Sequence, residues 1–343
     1  MLKLHPRNKR KPYTYKEGVH LNLQPNESHV VLKFQGVKFH NFHSKITMSE
    51  KAQIYRALLN SGEFIVSPGV YDGYSVRLVE AAGFKTAATS GAAVSNALLG
   101  VPDAGMMGLS ENANHCRNLA RSVQIPITAD ADTGYGNPMN VHYTVKIFEE
   151  AGVAGVNIED QVSPKRCGHM PGKEVIAEAE MLKKIEAACM ARQDDAFIII
   201  ARTDAIATEG IEAACKRVKA YAKAGADMIF ADAVHSAQEI AAIVEAAGIP
   251  VSVNMGFGIR NRPTTPLIPI KTLKALGVRR ISLPRMLPAA AIHAMQQALA
   301  LMRGVMETGE PIDRPDLLAS IEDIMQLMGY DQMRALEAKL LQF

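Results

Sequence analysis

The sequence predicts a (β/α)8 barrel, and three observations support this fold class. From Glu63 onward, short runs rich in β-branched residues alternate with longer alanine-rich stretches of helical character. Glycine closes the helical stretches in a common way, in the segments EAAGF, EEAGV, KAGAD, EAAGI and KALGV. Glycine just past a helix is the usual left-handed cap, so each segment predicts a helix, a turn and a strand. Eight such units in about 240 residues are typical of a barrel, since open parallel sheets usually have fewer strands.

The predicted strands do not alternate polar and apolar residues, as expected for parallel strands that are covered on both faces. Runs such as FIIIA and VSVN show this most clearly. The eight strands are predicted at residues 64–67, 86–90, 127–130, 155–159, 197–202, 228–232, 251–254 and 280–283. The helices are predicted at residues 73–82, 110–122, 138–151, 178–192, 209–224, 236–246, 270–276 and 288–304.

Two segments flank the predicted barrel, which spans residues 48–310. Residues 1–47 contain nine Lys or Arg and two Glu, so this extension carries about +7 and the rest of the chain about −4. We expect the extension to be flexible or to pack on a subunit, and it lacks the interleaved motifs that favour nucleic-acid binding. Residues 311–343 begin with a break in the repeat and end in an amphipathic stretch at 317–341. That stretch is expected to cover another surface of the fold or a neighbouring subunit.

Composition excludes several classes of protein. Apolar residues make up 48% of the 343 residues and charged residues 21%, which is typical of a globular protein with a sizeable core. No apolar run approaches the roughly 18 residues that span a bilayer, and no signal-peptide pattern is visible, so we expect a cytoplasmic protein without a membrane partner. The cysteines are too sparse and irregular for a disulfide framework or a zinc site, and we predict free thiols. They are Cys116, Cys167, Cys189 and Cys215.

Polar residues stand at the ends of most predicted strands. A barrel carries its chemistry at the carboxyl ends of its strands, so these residues are expected to share one mouth. The set comprises Asp130, Asp132, Glu159, Arg202, Asp232 and Asn254.

Three of these side chains are candidate metal ligands. Asp130 and Asp132 are two residues apart, and Glu159 ends the neighbouring strand. Crowded carboxylates repel one another unless something positive lies between them, and oxygen ligands of this kind suit Mg²⁺ or Mn²⁺. The alternative is that Asp130 and Asp132 cap the helix near Pro138 or hold the TGYGN turn.

Two further features indicate an anionic ligand. Arg202 supplies a planar fork suited to a carboxylate, although a salt bridge to one of the nearby acids is an alternative. Ser90, Gly91 and Ala92 close the second strand without bulk, and their backbone N–H groups could bind an anionic oxygen.

The motifs DADTGYGN, NIEDQ, KRCGH and ARTDA, in this order and at these spacings, resemble those of the isocitrate lyase and phosphoenolpyruvate mutase superfamily. The nearest branch resembles the short carbon–carbon lyases of the 2-methylisocitrate and dimethylmalate type. The resemblance runs from about Ser61 to the C-terminus and excludes residues 1–47. It implies a TIM-type barrel in a tetramer whose subunits exchange their C-terminal helices.

The resemblance also implies a site and a reaction. Mg²⁺ would be held, partly through water, by Asp130, Asp132 and Glu159, with Asp103 nearby. The small carboxylate substrate would contact the strand ends and the KRCGH loop, at Ser90, Gly91, Ala92, Gly168, Arg202, Asp232, Asn254 and Pro284. A 2-hydroxy di- or tricarboxylate would be cleaved by retro-aldol (Claisen-type) chemistry into a 2-oxo acid and the enolate of a second acid.

The KRCGH loop is expected to complete this reaction. Cys167 would protonate the enolate, while Lys165, Arg166 and His169 supply positive potential. Gly168, Pro171 and Gly172 are predicted to form the hinge of a lid that excludes water.

Departures from the family pattern put the substrate in doubt. The position two residues before Ser90, often aromatic in the family, is Ala88; strand six ends in Asp232 in place of glutamate; and Arg260 and Arg262 make the strand-seven loop unusually basic. One alternative is an oxaloacetate hydrolase or a phosphonopyruvate or carboxyphosphonoenolpyruvate mutase on the same fold. Another is a non-catalytic barrel whose basic arm binds nucleic acid.

Overall fold

The computed structural model describes residues 47–168, 170–262 and 266–341, so all of the predicted N-terminal extension except Thr47 lies outside the described residues. Eight parallel strands form a closed barrel in the order β1 to β8, and β8 pairs with β1 to complete the ring. The predicted barrel is therefore confirmed. The strands are β1 Ile65–Val70, β2 Ala87–Thr89, β3 Ile127–Asp130, β4 Gly155–Glu159, β5 Ile198–Thr203, β6 Met228–Ala231, β7 Val251–Asn254 and β8 Arg280–Leu283.

Helices of the β/α units follow the strands. The helices of the described chain are α1 Met48–Asn60, α2 Gly73–Ala81, α3 Gly91–Val94, α4 Leu109–Ser122, α5 Pro138–Glu150, α6 Glu178–Ala191, α7 Ala205–Glu209, α8 Ile211–Lys223, α9 Ala237–Ala247, α10 Ile270–Ala275, α11 Met286–Thr308, α12 Ile321–Met328 and α13 Tyr330–Leu340. A π-helical turn, Ser95–Leu99, continues α3.

The glycines of the five repeated joints all adopt the left-handed backbone that their positions predict. Their φ angles lie between 64° and 109°, at Gly83, Gly152, Gly225, Gly248 and Gly277. A side chain is strained in this region, so glycine ends each helix there at little cost.

Glycine also divides two segments that were predicted to be continuous. The predicted helix at 209–224 begins earlier and is split into α7 and α8 by Gly210, whose φ is 89°. The C-terminal stretch at 317–341 is split into α12 and α13 by Gly329, with φ of 76°. The predicted helix at 288–304 is longer than expected and spans Met286–Thr308.

Helix α1, which was not predicted, packs against the amino-terminal ends of the strands. Its Tyr55 and Leu59 are buried in one cluster with inward-facing Ile65, Ile198 and Met228. Tyr55 Oη also accepts a hydrogen bond from the buried Arg280 at 3.0 Å. This end of the barrel is therefore filled, and the opposite, carboxyl end remains for a ligand.

The last three helices bury little of their apolar surface within the chain. No residue of α11, α12 or α13 is fully buried, and large apolar side chains such as Leu299, Met306 and Leu340 are exposed. Among the described residues, no helix combines the length and the apolar character needed to cross a bilayer.

Candidate active site

A cavity opens at the carboxyl ends of the strands. Its walls combine residues that are far apart in sequence, because all eight strands contribute residues at or near their carboxyl ends. Of the predicted site residues, the cavity is lined by Ser90, Gly91, Ala92, Asp103, Asp130, Cys167, Gly168, Arg202, Asp232, Asn254 and Pro284. Asp132, Glu159, Lys165 and Arg166 do not line it, and His169 lies outside the described residues.

The turn after β3 shapes the acidic side of the cavity. Asp130 accepts hydrogen bonds from the backbone N–H groups of Gly91 at 3.3 Å and Asp132 at 3.2 Å. A Cβ on Gly91 would lie only 2.6 Å from Asp130 Oδ2, which explains the need for glycine at this position. The side chain that caps α5 is Asn137, so neither aspartate serves as the helix cap.

Lys165 lies among the predicted metal ligands. Its Nζ is 2.5 Å from Asp103 Oδ1 and 2.9 Å from Asp132 Oδ1, and the side chain is buried. Burial alone would lower the pKa of Lys165, but the surrounding carboxylates, Asp132 and Glu159 foremost, hold it well above its usual range. The lysine therefore stays charged and compensates part of the acidic cluster.

Two acids of the cluster have raised pKa values. Burial raises the pKa of Asp132 to about 6, against the opposing effect of Lys165. Burial raises the pKa of Glu159 well above its usual range, although Arg202 and Lys165 act against the shift. Neither Glu159 oxygen accepts a well-formed hydrogen bond from a described residue, although Arg202 Nε lies 3.2 Å from Oε2.

These observations fit a divalent cation. Additional positive charge would relieve the crowded acids, and their oxygens are the ligands that Mg²⁺ prefers. In the described residues, no three acidic, histidine or cysteine side chains converge closely enough to hold a metal directly.

Arg202 is held by acids of the protein itself. Its Nε and Nη2 donate to Asp204 at 2.8 and 3.0 Å, and Nη2 also donates to Asp232 at 3.2 Å. Asn254 Nδ2 donates to the other oxygen of Asp232 at 3.0 Å. Arg202 therefore forms the salt bridges that were considered as an alternative to substrate binding. Its side chain also lines the cavity.

The KRCGH loop contributes Cys167 and Gly168 to the wall of the cavity. The loop is closed at its base by a bridge between Gln161 and Val175, and Cys167 N donates to Asp103 O at 3.1 Å. Gly168 packs so tightly that an added Cβ would lie 1.8 Å from Asp232 Oδ2 and 2.4 Å from Arg202 Nη2. Arg166, by contrast, is exposed and turns its guanidinium to Pro171 O.

The four cysteines are free in the structure. Cys167 is half-buried in the KRCGH loop, where its Sγ accepts a hydrogen bond from Arg285 Nη2 at 3.2 Å. Cys116 is fully buried in the core, and burial raises its pKa to about 12. Only Cys167 lines the cavity.

Two charged residues of the site, Asp204 and Arg285, were not predicted from the sequence. Asp204 was present in the motif ARTDA, and its position two residues after Arg202 suggested a partner on the same side of the strand. Arg285 lies two residues past the end of β8, so the rule that strand ends carry the chemistry applied to it as well.

The closed barrel and its polar mouth define a (β/α)8 enzyme with its site at the carboxyl ends of the strands. A sequence model of the family described as phosphoenolpyruvate phosphomutase matches residues 55–303. The chain belongs to this family, the PEP mutase/isocitrate lyase superfamily.

Relatives and solved structures agree with this assignment. The chain is 38% identical over 300 residues to the probable 2-methylisocitrate lyase 2 of Corynebacterium glutamicum, covering 87% of this chain and 95% of that protein. The crystal structure of 2,3-dimethylmalate lyase is 33% identical, with a TM-score of 0.77 and coverage of 85% and 95%. That of phosphonopyruvate hydrolase with oxalate and Mg²⁺ is 32% identical, with a TM-score of 0.75 and coverage of 85% and 99%.

The predicted family is therefore confirmed, and so is the predicted reaction class, a carbon–carbon lyase.

Proposed function

We propose that this protein cleaves a 2-hydroxy di- or tricarboxylate of the 2-methylisocitrate type into a 2-oxo acid and a second carboxylic acid. One observation supports this most directly: a single cavity is lined by the lid thiol of Cys167 and by the carboxylates of Asp103 and Asp130. A proton donor and a set of metal-binding oxygens are the two things that such a cleavage requires.

The proposal includes Mg²⁺, or Mn²⁺, at the acidic side of the mouth. Asp130, Asp132 and Glu159 would hold it with Asp103, partly through water. When bound, the ion polarises the C2 oxygen of the substrate. The donor set of the chain supports this choice, as does the solved relative that binds oxalate and Mg²⁺.

The chain's own residues perform the remaining work. The C2 hydroxyl would pass its proton to a carboxylate of the cavity wall, and the C2 carbonyl would form as the C2–C3 bond breaks. The electron pair of that bond passes to C3, which takes a proton from Cys167 Sγ and leaves a thiolate there. Gly168 places the lid backbone against Arg202 and Asp232, so the closed loop keeps water from the enolate. Ser90, Gly91, Ala92, Asn254 and Pro284 complete the binding walls.

The proposal also covers the basic residues of the KRCGH loop and the two terminal segments of the chain. Lys165, Arg166 and His169 would supply positive potential around the mouth. We propose a cytoplasmic homo-oligomer, a tetramer, in which residues 311–343 are exchanged between subunits. The exposed apolar residues of α11 to α13 support such an interface. That residues 1–47 are flexible or pack on a subunit remains a prediction.

The test is a Mg²⁺-dependent screen of the purified protein against 2-methylisocitrate, isocitrate, 2,3-dimethylmalate, oxaloacetate and phosphonopyruvate. We expect cleavage of at least one 2-hydroxy acid, detected as release of the 2-oxo acid. Turnover of oxaloacetate or phosphonopyruvate alone would replace the proposal by the hydrolase or mutase alternative.

Cys167→Ser tests the proton donor. Because general acid catalysis contributes about 10²- to 10⁴-fold, kcat should fall by about that factor, while binding of pyruvate and Mg²⁺ persists. Cys215→Ser, which changes a thiol outside the cavity, is the matched control and should keep full activity. Full activity of Cys167→Ser would refute the assigned role.

A further inference from the structure

Lys173 lies at the base of the KRCGH loop with its charged group buried. This base is closed by Val162 N–H, which donates to Glu174 O at 2.9 Å, beside the bridge between Gln161 and Val175. Only 3% of the Lys173 side chain is exposed, and it does not line the cavity. Burying a charge is costly unless the group is paired and hydrogen-bonded, so the partners of this ammonium indicate its role.

The ammonium group of Lys173 joins the loop to the wall of the barrel. Its Nζ donates to Asp204 Oδ1 at 2.8 Å and to the backbone carbonyl oxygen of Gly168. Gly168 directly follows Cys167, which lines the cavity. One cation therefore fixes the backbone next to the proposed proton donor.

Asp204, the acidic partner of this ammonium, is held firmly in the barrel wall. Its backbone N–H donates to Asp160 Oδ1 at 2.9 Å. The other oxygen of Asp160 accepts hydrogen bonds from Thr203 Oγ1 and Tyr221 Oη, each at 2.7 Å. Asp204 is fully buried, and its carboxylate also accepts two hydrogen bonds from Arg202. The ammonium therefore meets a carboxylate whose position does not depend on the loop.

We propose that Lys173 is a positioning residue, which holds the Gly168 carbonyl against the barrel and thereby keeps the Cys167 thiol at the cavity. Charge-assisted hydrogen bonds are roughly twice as strong as neutral ones, so an ammonium is suited to anchor a loop that contains glycine. The inference rests on the proposed function for the role of Cys167, but the placement of its thiol can be measured without turnover. Asp204 keeps Arg202 as a partner when Lys173 is replaced, so the substitution leaves no unpaired buried acid.

The first test measures the alkylation of Cys167 by iodoacetamide in the purified protein, with each cysteine followed separately by peptide mass spectrometry. Lys173→Met should raise the rate at Cys167 about 10-fold, because loss of the charged hydrogen bond releases the loop. Loss of the positive charge alone would disfavour the thiolate and slow the reaction, so the direction of the change separates the two effects. An unchanged or slower rate would overturn the proposal.

Cys215 is the reference within the same molecule, because it is a free thiol outside the cavity. General loosening of the fold would raise the rates at Cys215 and Cys167 together, and that result would also overturn the proposal. Lys173→Gln, a milder change that keeps a neutral donor, should give a smaller rise at Cys167, and Lys173→Arg, which keeps the charge, should restore most of the original rate. Lys183→Met, at a lysine whose side chain is 67% exposed, is the matched control and should leave the rate unchanged.

Steady-state kinetics provide the second test. Lys173→Met should lower kcat about 10- to 100-fold, because a displaced proton donor no longer meets the enolate, while KM changes little. A raised KM with kcat retained would mean that Lys173 acts only through Asp204 on Arg202, and it would overturn the proposal. The alkylation result stands even if no 2-hydroxy acid is cleaved, so failure of the lyase assignment is recognised separately.

Discussion

Asp132 combines deep burial, a left-handed backbone with φ of 47°, and contact with Lys165. Its pKa of about 6 in the folded protein exceeds the ordinary value of 3.8. The folded state therefore favours the protonated acid. The corresponding contribution to stability is complete below pH 3.8 and is lost as the pH rises through about 6.

This acid predicts that Mg²⁺ stabilises the protein in a pH-dependent way. A carboxylate must lose its proton to bind a metal, so added Mg²⁺ should raise the melting temperature more at about pH 7.5 than at about pH 5. Thermal unfolding monitored by fluorescence at increasing Mg²⁺ measures this. Asp132→Asn should remove most of the shift, whereas Asp313→Asn, at an exposed acid, should not. Equal shifts at both pH values would contradict the assigned ligand.

At the level of residues, the ends of the predicted strands indicated which side chains meet at the mouth of the barrel. They did not indicate which of these side chains form hydrogen bonds or ion pairs with each other. Asp130, Asp232 and Asn254 line one cavity because parallel strands of a barrel all point the same way. The contact of Lys165 with Asp103 joins two long loops, and no spacing in the sequence encodes it.

At the level of elements, the placement of the proposed lid depends on Gly168, which has no side chain. Gly168 lies against Asp232 and Arg202, which are themselves locked together at 3.2 Å and cannot move aside freely. Gly168→Ala should therefore displace the loop and Cys167 with it. Because a shift of about 1 Å at a reacting group can cost roughly 100-fold, we expect a loss of kcat of that order.

Steady-state kinetics and thermal unfolding together check this prediction. The lid lies outside the main core, so the melting temperature should change little. Met170→Ala, at an exposed side chain of the same loop, is the control and should retain kcat. An unchanged kcat in Gly168→Ala would mean that the lid is not closed during the reaction.

The ends of the helices could be predicted from the sequence where a glycine follows the helix, and less well elsewhere. The five joint glycines predicted their helix ends because only this residue adopts the left-handed backbone freely. Helix α1 was missed because it precedes the first repeat. Its signal was present, since Thr47 and Glu50 form the capping box that opens the helix.

At the level of the whole molecule, the long helix α11 exposes large apolar side chains to solvent. Leu299 and Met306 are 67% and 75% exposed. Large exposed apolar surface marks a site of association. Leu299→Lys combined with Met306→Lys should therefore dissociate the proposed oligomer into smaller species, as measured by light scattering after size-exclusion chromatography.

The control for this experiment is Glu307→Lys on the same helix, which adds a positive charge at an exposed polar site. It should leave the mass unchanged. If the double lysine variant also kept the mass of the unmodified protein, the helices would not form the interface. The number of subunits could not be derived from the repeat, because the β/α pattern records contacts within one barrel.

Closure of the barrel limits how copies of this protein can associate. Each of the eight strands has a neighbour on both sides, so the described barrel offers no free row of backbone N–H and C=O groups to an incoming chain. Self-association must then occur through side chains on helices, where shape and sequence restrict the partner. A protein of this architecture can carry a large apolar face without the risk of growing into strand-paired fibres from its native state.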